Sequence, residues 1–287
     1  MSFPSFTLLA QAVLGGIFTG ALYGLLGLGL SLSWGMLRQI NLAHFALAFL
    51  GAYLTYQFST YGGVDPLLTL LMIIPVFFVV GVAVHWVLTR FRVTPFNSLL
   101  VTFGLTIIVE AVLQWIWTAD YRRLESTYSN HKLQLGTLYL PEPELITLGL
   151  SLGISLIVWQ VLRRSDIGKA IRAAAEDAPI AAAFGINQRV LGLLLSGLNA
   201  SLAGIAGVCI ALGYTLAPSQ IYTWIGVVFA CVMLGGLGRP MGPIIAGCVI
   251  GVSEAITMAV ASPSWAPLVS FSLLIVVLLV RPERIQA

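Results

Sequence analysis

Apolar residues recur along the whole chain in runs long enough to cross a lipid bilayer, and this pattern limits the possible folds more than any other feature. A bilayer core requires about 20 apolar residues per helix. Hydrophobic residues make up 59% of the 287 residues and charged residues only 9%, whereas a soluble domain carries about 25% charged residues. The mean hydropathy of +0.97 leaves no room for a sizeable water-soluble domain. The sequence therefore predicts one all-α transmembrane domain over residues 1–287.

The chain divides into nine apolar segments, which predict a polytopic helical bundle of about eight or nine transmembrane segments. They cover residues 8–34, 41–58, 67–89, 97–118, 145–162, 188–212, 223–237, 240–261 and 265–281. The second and seventh are short, a length compatible with broken or re-entrant helices covered by protein or by a water-filled cavity. Two alternatives stay open for residues 223–261, namely two full spans or one re-entrant hairpin. Segments one to four and six to nine run in opposite orientations, as in inverted repeats.

The distribution of basic residues between alternate loops predicts the orientation of the chain, because Lys and Arg accumulate in cytoplasmic loops. With the N-terminus outside, three of the 14 basic residues fall in outside loops, namely Arg122, Arg123 and Lys132. The other basic residues fall inside: Arg38, Arg90, Arg92, Arg163, Arg164, Lys169, Arg172, Arg189, Arg239, Arg281 and Arg284. We therefore expect an outside N-terminus and a cytoplasmic C-terminus. The net charge of +3 then reflects membrane topology, and we expect no nucleic-acid partner.

Two loops are long enough to form structure outside the bilayer. Residues 119–144 lie outside and are polar, and residues 163–187 lie inside. Within the inside loop, residues 166–178 are predicted to form a helix, with Asp166 as its N-cap and several alanines as strong helix formers. Pro179 limits the continuation of this helix, and a second short helix is predicted to follow it.

The inside loop has one apolar and one polar helical face. The predicted apolar face consists of Ile167, Ile171, Ala174 and Ala178. The polar side chains off that face are Lys169, Arg172, Glu176 and Asp177. The second short helix ends at Gly185, a residue suited to the position after a helix C-terminus. This pattern predicts a docking element for a cytoplasmic partner, and an interfacial helix that merely anchors the loop is the alternative.

Three blocks of the sequence resemble a known transporter family. The run IGKAIRAAAEDAPIAAAFGIN, residues 167–187, resembles the coupling loop of LivH-type permeases of branched-chain amino-acid ABC importers. Residues 22–53 look like the first span, turn and N-[FL]-A-H motif of that family, and residues 226–256 look like its Leu-Gly-Gly-[IL]-Gly segment and the following Gly-rich helix. The three blocks occur in the same order as in the family, and the resemblance covers essentially the whole chain.

The resemblance implies a translocation subunit in the bacterial inner membrane that is not itself an enzyme. It implies as partners two cytoplasmic ABC ATPase subunits, a second permease of the LivM type and a periplasmic substrate-binding protein. The sequence contains no G-x-x-x-x-G-K-[ST] motif, because Arg163 stands where the glycine before Gly168–Lys169 is required. ATP would therefore be bound by the partner subunits, and no cofactor is expected in this chain. The implied docking residues are Gly168, Lys169, Arg172, Glu176, Asp177 and Gly185.

The resemblance also has one departure, at the motif that follows the first span. The family usually has N-x-A-H-G-E, whereas this chain has Phe45 and Ala46 after His44. An acidic residue near the path would interact with the ammonium group of an amino acid. The cargo therefore stays open among branched-chain amino acids, other amino acids, urea, short amides and aromatic acids.

Several polar residues inside apolar segments are candidates for the translocation pathway, because ionisable groups in a membrane are costly and normally face the bundle interior. Glu254 lies in an otherwise small and apolar segment, and a helix–helix hydrogen bond is its alternative role. Asn41 and His44 lie at the inner turn after the first span, and Asn199 is predicted either to line the path or to bridge two helices. The remaining candidates form a glycine cluster that breaks a helix: Gly235, Gly236 and Gly238.

Small residues spaced four apart predict close helix packing. They are Gly16, Gly20 and Gly24 in the first segment, Gly192, Ser196, Ala200 and Gly204 in the sixth, and Gly247, Gly251, Ala255 and Ala259 in the eighth. The three cysteines lie in apolar segments without the spacing of metal ligands, and the histidines form no cluster. We therefore expect no metal site and no catalytic site. A stand-alone ion-coupled transporter or channel, with Glu110 and Glu254 as its ionisable groups, is the alternative function.

Overall fold

Eleven α-helices make up most of the computed structural model, which describes residues 5–130 and 132–280. They are α1 (Phe6–Leu37), α2 (Ala43–Thr60), α3 (Leu70–Arg90), α4 (Pro95–Trp117), α5 (Glu142–Arg164), α6 (Asp166–Glu176), α7 (Ala178–Ala183), α8 (Gln188–Gly213), α9 (Ile221–Gly235), α10 (Gly242–Val260) and α11 (Ala266–Val280). Each of the nine apolar segments of the sequence corresponds to one helix, and α6 and α7 fall within residues 163–187. The basic residues Arg281 and Arg284 lie outside the described residues.

Seven helices of the described chain are long and apolar enough to cross a membrane, namely α1, α3, α4, α5, α8, α9 with the turn before it, and α10. Two helices are not among these seven: α2 ends in the polar sequence TYQFST and is therefore less apolar, and α11 has only 15 residues. The chain is therefore an all-α polytopic membrane protein, as the sequence predicted.

The helices α1 and α10 pack closely against each other through glycines in the middle of α1. A Cβ atom at Gly16 would lie 2.6 Å from the Gly251 carbonyl oxygen, and one at Gly20 would lie 2.6 Å from the Cα atom of Cys248. Gly24 approaches Ile244 in the same way, so residue numbers rise along α1 as they fall along α10. The predicted small-residue ridges of the first and eighth segments therefore face each other in an antiparallel pair.

The helix α8 forms the second packing centre and contacts both α2 and α3. A Cβ atom at Gly51 of α2 would lie 3.0 Å from the Gly204 carbonyl oxygen. Gly81 of α3 abuts the backbone of Ser196, and Gly192 abuts the ring of His85. The ridge of the sixth segment is thus also a packing surface, as the spacing predicted.

The contacts of the loops place them on two opposite faces of the bundle. On one face, Gln11 near the start of α1 bonds to the backbone of Tyr139, with its Nε2 atom 2.8 Å from the carbonyl oxygen. The loop after α4 lies on the same face and pairs through Arg122 with Leu216 after α8. On the other face, Arg38 after α1 donates to the carbonyl oxygen of Ala175 in α6. The alternation of loops between two faces therefore agrees with the sequence prediction.

The predicted outside loop, residues 119–144, contains a β-hairpin that the sequence analysis did not predict. Strand β1 (Lys132–Leu135) pairs with the antiparallel strand β2 (Leu138–Pro141). The two residues between the strands include Gly136, whose φ of 64° favours glycine. The sequence carried a signal for this hairpin that went unused: KLQL alternates polar and apolar residues, and a two-residue connection containing Gly136 follows it.

The seventh apolar segment is a short helix preceded by buried extended backbone. The helix α9 has only 15 residues, and Leu216 and Ala217 before it are almost fully buried. The rings of Tyr23 and Trp224 are 5.8 Å apart, and those of Trp34 and Phe229 are 5.5 Å apart, so α9 runs beside the second half of α1. The helix α10 has 19 residues and follows α1 from the level of Gly24 to the level of Gly16.

Candidate functional site

The predicted coupling helix is present and ends earlier than predicted. It covers Asp166–Glu176, and its N-cap is Ser165, whose Oγ accepts from the backbone N–H of Gly168 at 3.0 Å. Asp166, the predicted cap, instead pairs with Lys169 at 2.8 Å, and this ammonium group lowers the pKa of the carboxyl group. The predicted end at residue 178 is wrong because Asp177 leaves the helical conformation and caps α7, its Oδ1 accepting from the Ile180 N–H.

Part of the predicted apolar face packs against the bundle. Ile171 is buried, and Ala174 packs in the same cluster with residues of α1, α5 and α8. Ile167, in contrast, is 55% exposed, and Ala178 is exposed at the start of α7. Ile171 and Ala174 of the predicted apolar face therefore contact the bundle, whereas Ile167 and Ala178 do not, because Gly168 faces α5. A Cβ atom at Gly168 would lie 2.5 Å from the Cα atom of Leu162.

The short helix α7 presents two large apolar side chains away from the bundle. Phe184 is 85% exposed and Ile180 is 57% exposed. Gly185 follows with a φ of 86°, which is the left-handed conformation predicted for it. Sequence reasoning missed Ile180 and Phe184 as candidate docking residues, although their i, i+4 spacing after Pro179 places them on one helical face. Both lie close to Glu176 and Asp177, which are also exposed.

Two hydrogen bonds and one short connection join the two short helices to three long ones. Arg38 at the end of α1 donates to the Ala175 carbonyl oxygen at 3.5 Å. Gln188 at the start of α8 donates to the Ala178 carbonyl oxygen at 2.9 Å. Only Ser165 separates α6 from the end of α5. The segment of α6 and α7 is therefore directly joined to α1, α5 and α8.

Two of the pathway candidates, His44 and Asn199, meet in the interior beside Gly29 of α1. A Cβ atom at Gly29 would lie 2.5 Å from His44 Cε1 and 2.6 Å from Asn199 Oδ1. His44 is fully buried, and its Nε2 atom lies 3.0 Å from the carbonyl oxygen of Leu26. The two candidates are 155 positions apart in the sequence, and the missing side chain of Gly29 is what leaves space for both.

Some polar atoms of these candidates are buried without a hydrogen-bond partner. They are His44 Nδ1, Asn199 Oδ1 and Asn41 Oδ1. Leaving a buried polar group unpaired costs about 1–3 kcal/mol. His44 and Asn199 lie in a closed helix contact beside Gly29, whereas Asn41 lies in the turn between α1 and α2. The role of all three residues in the pathway stays a prediction.

Replacing Gly29 by alanine is expected to lower the free energy of unfolding by about 1–3 kcal/mol, the usual cost of overpacking a buried contact. The added methyl group would collide with both His44 and Asn199. Thermal denaturation of the purified chain in detergent measures the effect. Gly149→Ala serves as the control, since a Cβ atom there meets nothing within 4 Å. An unchanged midpoint for Gly29→Ala, or no partial recovery on adding Asn199→Ala, contradicts the proposed contact.

Glu254 bridges three helices through hydroxyl groups. Tyr23 Oη in α1 donates to Glu254 Oε2 at 3.1 Å, and Ser270 Oγ in α11 donates to Oε1. The carboxyl group is 8% exposed. The helix–helix hydrogen bond that the sequence left as an alternative is therefore present. Glu110 is bonded comparably, accepting from Gln114 in the same helix and from Tyr222 in α9.

A cavity of about 420 Å³ lies beside Tyr23, the residue that donates to Glu254. It is lined by Tyr23, Tyr214, Thr215, Gln220, Thr223, Trp224 and Val227. Its aromatic rings meet edge to face, with centroids 5.8 Å apart for Tyr23 and Trp224 and 5.3 Å apart for Tyr214 and Trp224. Sequence reasoning missed these residues. They come together because the chain breaks before α9, and the short length of the seventh segment was the signal of that break in the sequence.

The glycine cluster forms the tight turn between α9 and α10. Gly236 and Gly238 have φ values of 88° and 69°. Ser31 of α1 holds this turn, since its Oγ donates to the Gly236 carbonyl oxygen at 3.3 Å and accepts from the Gly238 N–H at 3.1 Å. Gly235 lies against the backbone of Gly242. The cluster therefore joins the ends of three helices on the face that carries α6 and α7.

The sequence matches a family model described as "Branched-chain amino acid transport system / permease component" over residues 12–278. The LivH permease protein of the high-affinity branched-chain amino acid transport system of Salmonella typhimurium is 27% identical, over 96% of this chain and 94% of its own length. The BraD protein of the corresponding system of Pseudomonas aeruginosa is 26% identical over the same shares. A probable LivH permease of Methanocaldococcus jannaschii is 26% identical over 94% of this chain and 90% of its own.

Among solved structures, PsaBC from Streptococcus pneumoniae in complex with Fab is similar over 98% of this chain and 94% of its own, with 13% identity and a TM-score of 0.47. The fold and the site define a multi-pass membrane permease. The chain belongs to the family of permease components of branched-chain amino acid transport systems.

Proposed function

We propose that this chain is one translocation subunit of an ATP-driven importer in the bacterial inner membrane, and that α6 and α7 dock on cytoplasmic ATPase subunits. The observation that carries the proposal is the exposed apolar pair Ile180 and Phe184 on a helix hydrogen-bonded to the transmembrane bundle. Exposed aromatic side chains of this kind are frequent anchors at protein interfaces. The predicted docking residues Lys169, Glu176 and Asp177 are exposed in the same segment.

Gly168 and Gly185 support docking indirectly, through the shape of the segment. Gly168 allows α6 to lie directly on α5, and Gly185 ends the helix that carries Phe184. Arg172 points to a groove between α5 and α10, so we assign the direct contact to α7 and the exposed acidic residues. The polypeptide would then transmit movement of the ATPase subunits to α1, α5 and α8.

We further propose that the cargo passes beside Tyr23, Tyr214 and Trp224, in the cavity next to the start of α9. Its volume of about 420 Å³ suits a molecule of amino-acid size. Gln220 and Thr223 supply polar groups beside the aromatic rings. Glu254 lies behind Tyr23 and holds its hydroxyl group, so displacement of Tyr23 would expose a carboxyl group to a passing ammonium group.

The relatives suggest the cargo, and the distribution of basic residues suggests the orientation. The curated relatives belong to high-affinity branched-chain amino acid transport systems, which makes leucine, isoleucine and valine the first substrates to test. A second permease of the LivM type, two ATPase subunits and a periplasmic binding protein complete the proposed importer. The face with α6 and α7 carries most basic residues of the described chain and is assigned to the cytoplasm.

Reconstitution of the full-length chain with these partner proteins in liposomes tests the proposed function. We expect leucine uptake that requires both ATP and the binding protein. Trp224→Ala is expected to lower uptake about tenfold, equivalent to roughly 1.4 kcal/mol, because it removes one wall of the cavity. Trp265→Ala is the matched control, since Trp265 is 55% exposed away from this cavity.

Two results would contradict the proposal. Uptake that continues without ATPase subunits and follows a proton or sodium gradient would identify an ion-coupled transporter, with Glu110 and Glu254 as its leading sites. Equal losses for Trp224→Ala and Trp265→Ala, with the assembly intact, would remove the cavity from the path.

A further inference from the structure

A groove of about 690 Å³ opens on the face that carries α6 and α7, between the end of α5, α6 and the start of α10. Three arginine side chains line it, and each comes from a different element: Arg163 from α5, Arg172 from α6 and Arg239 from the turn before α10. The proposed function uses none of this groove. Its position at the membrane boundary follows from the end of α5 and the beginning of α10, which meet there.

The three guanidinium groups lack a negatively charged partner within the described part of the chain. The ion pair found there joins Lys169 and Asp166, and no carboxylate lies within ion-pair distance of the groove arginines in residues 5–130 and 132–280. Arg163 stacks over the ring of Trp159, with its Cζ atom 5.1 Å from the ring centroid. Trp159 also lines the groove and belongs to a residue type that favours the membrane interface.

The remaining wall of the groove is apolar and continues along the outer surface of α10. Ile245 and Val249 line the groove and are 65% and 49% exposed. Ile256 and Val260 extend the same helical stripe toward the other face, with 37% and 47% exposure. The groove therefore places a cationic cluster at one end of an apolar track that is directed along the membrane normal.

We propose that this groove binds one anionic phospholipid, with its phosphate held by Arg163, Arg172 and Arg239 and an acyl chain along Ile245 and Val249. Guanidinium groups donate paired hydrogen bonds to phosphate oxygens. Basic pockets between transmembrane helices on the cytoplasmic side are suited to phospholipid headgroups. A bound lipid would bridge α6 and α10, which both line the groove.

The apolar track favours a lipid over the other possible occupants. An acidic protein surface or a free phosphate ion would satisfy the arginines but would leave Ile245 and Val249 without a contact. A lipid satisfies both features with one molecule. Because this proposal concerns a lipid and not the ATPase contact of Phe184, it can fail while the proposed function holds.

Lipid binding to the purified full-length chain tests the proposal. After delipidation in mild detergent, phosphatidylglycerol and phosphatidylcholine of the same acyl composition are titrated and bound lipid is counted by native mass spectrometry. We expect one phosphatidylglycerol to bind much more tightly than phosphatidylcholine. The triple variant R163Q/R172Q/R239Q is expected to bind it about 100-fold more weakly, as three basic contacts at an anionic membrane surface would predict.

The matched control removes the same charge from the same face of the bundle. The variant R90Q/R164Q/R189Q changes three exposed arginines that do not line the groove, and it should keep the lipid. Equal losses in both variants, or no preference of the wild type for phosphatidylglycerol, would overturn the proposal. Displacement of the lipid by inorganic phosphate alone would assign the site to a free anion instead.

Two further situations have a defined interpretation, namely a groove that contacts a protein and a groove variant that does not purify. If the groove variant keeps its lipid but no longer retains ATPase subunits, the groove is a protein contact and the proposal fails. If the groove variant does not purify as a monodisperse species, the wild-type comparison of phosphatidylglycerol with phosphatidylcholine still decides the question. An I245S variant then tests the apolar wall, with an expected loss of phosphatidylglycerol binding at unchanged charge.

Discussion

A leucine at position 16 is expected to prevent α1 from packing on α10, so that little folded protein is recovered. A Cβ atom there would lie 2.6 Å from both the Gly251 carbonyl oxygen and the Val252 Cα atom. These are backbone atoms, so the helices must separate to accommodate the side chain. The cost should exceed about 3 kcal/mol, the upper part of the usual range for overpacking.

The neighbouring glycine supplies a control within the same helix turn. A Cβ atom at Gly15 meets nothing within 4 Å. We expect Gly15→Leu to purify like the wild type and Gly16→Leu to aggregate or to lose about 10 °C in Tm. Size-exclusion chromatography and thermal denaturation in detergent provide the two readouts. Similar behaviour of the two variants would disprove the close antiparallel contact between α1 and α10.

Removing the aromatic ring of Phe184 is expected to release the ATPase subunits while leaving the permease folded. Phe184 is 85% exposed, so its loss costs little in the isolated chain. A buried aromatic anchor at an interface contributes about 2 kcal/mol or more. Phe184→Ala should therefore weaken ATPase retention about 30-fold. Co-purification of the wild type and the variant with the ATPase subunits measures the loss.

A second exposed phenylalanine makes this experiment specific. Phe91 at the end of α3 is 75% exposed, and Phe91→Ala should leave ATPase retention unchanged. Phe184→Leu should restore part of the binding, since it keeps an apolar side chain at the same position. Full ATPase retention by Phe184→Ala would show that α7 is not the docking surface, and Phe184 would then be assigned to the membrane surface.

Hydrophobic periodicity was sufficient to predict where the long helices lie. The first predicted segment, residues 8–34, corresponds to Phe6–Leu37, and the sixth, residues 188–212, corresponds to Gln188–Gly213. The glycine ridges also predicted close packing, because the spacing of glycines can be read within one helix. Which helix packs against such a ridge cannot be read from one helix alone. The pairing of Gly16 with Gly251 depends on contacts between distant segments, which a single sequence does not display.

The candidate site was predicted less completely for the same reason. His44 and Asn199 were each selected as polar residues in apolar segments, but their contact depends on the space that Gly29 leaves. The cavity beside Trp224 depends on the tertiary path of the chain before α9. The end of α6 was predicted too late, at residue 178. Asp177 is compatible with a helix interior, but with Pro179 two positions later it serves as the N-cap of α7.

The length of α1 gives it a mechanical property. Its 32 residues make a continuous rod of about 48 Å, well beyond the roughly 30 Å of a bilayer core. One end is bonded to the β-hairpin through Gln11, and the other end is bonded to α6 through Arg38. A rod that tilts about its middle carries its two ends in opposite directions. In the proposed importer, such a tilt would couple a displacement of the hairpin in one direction to a displacement of α6 in the other, so that the two faces would not open together.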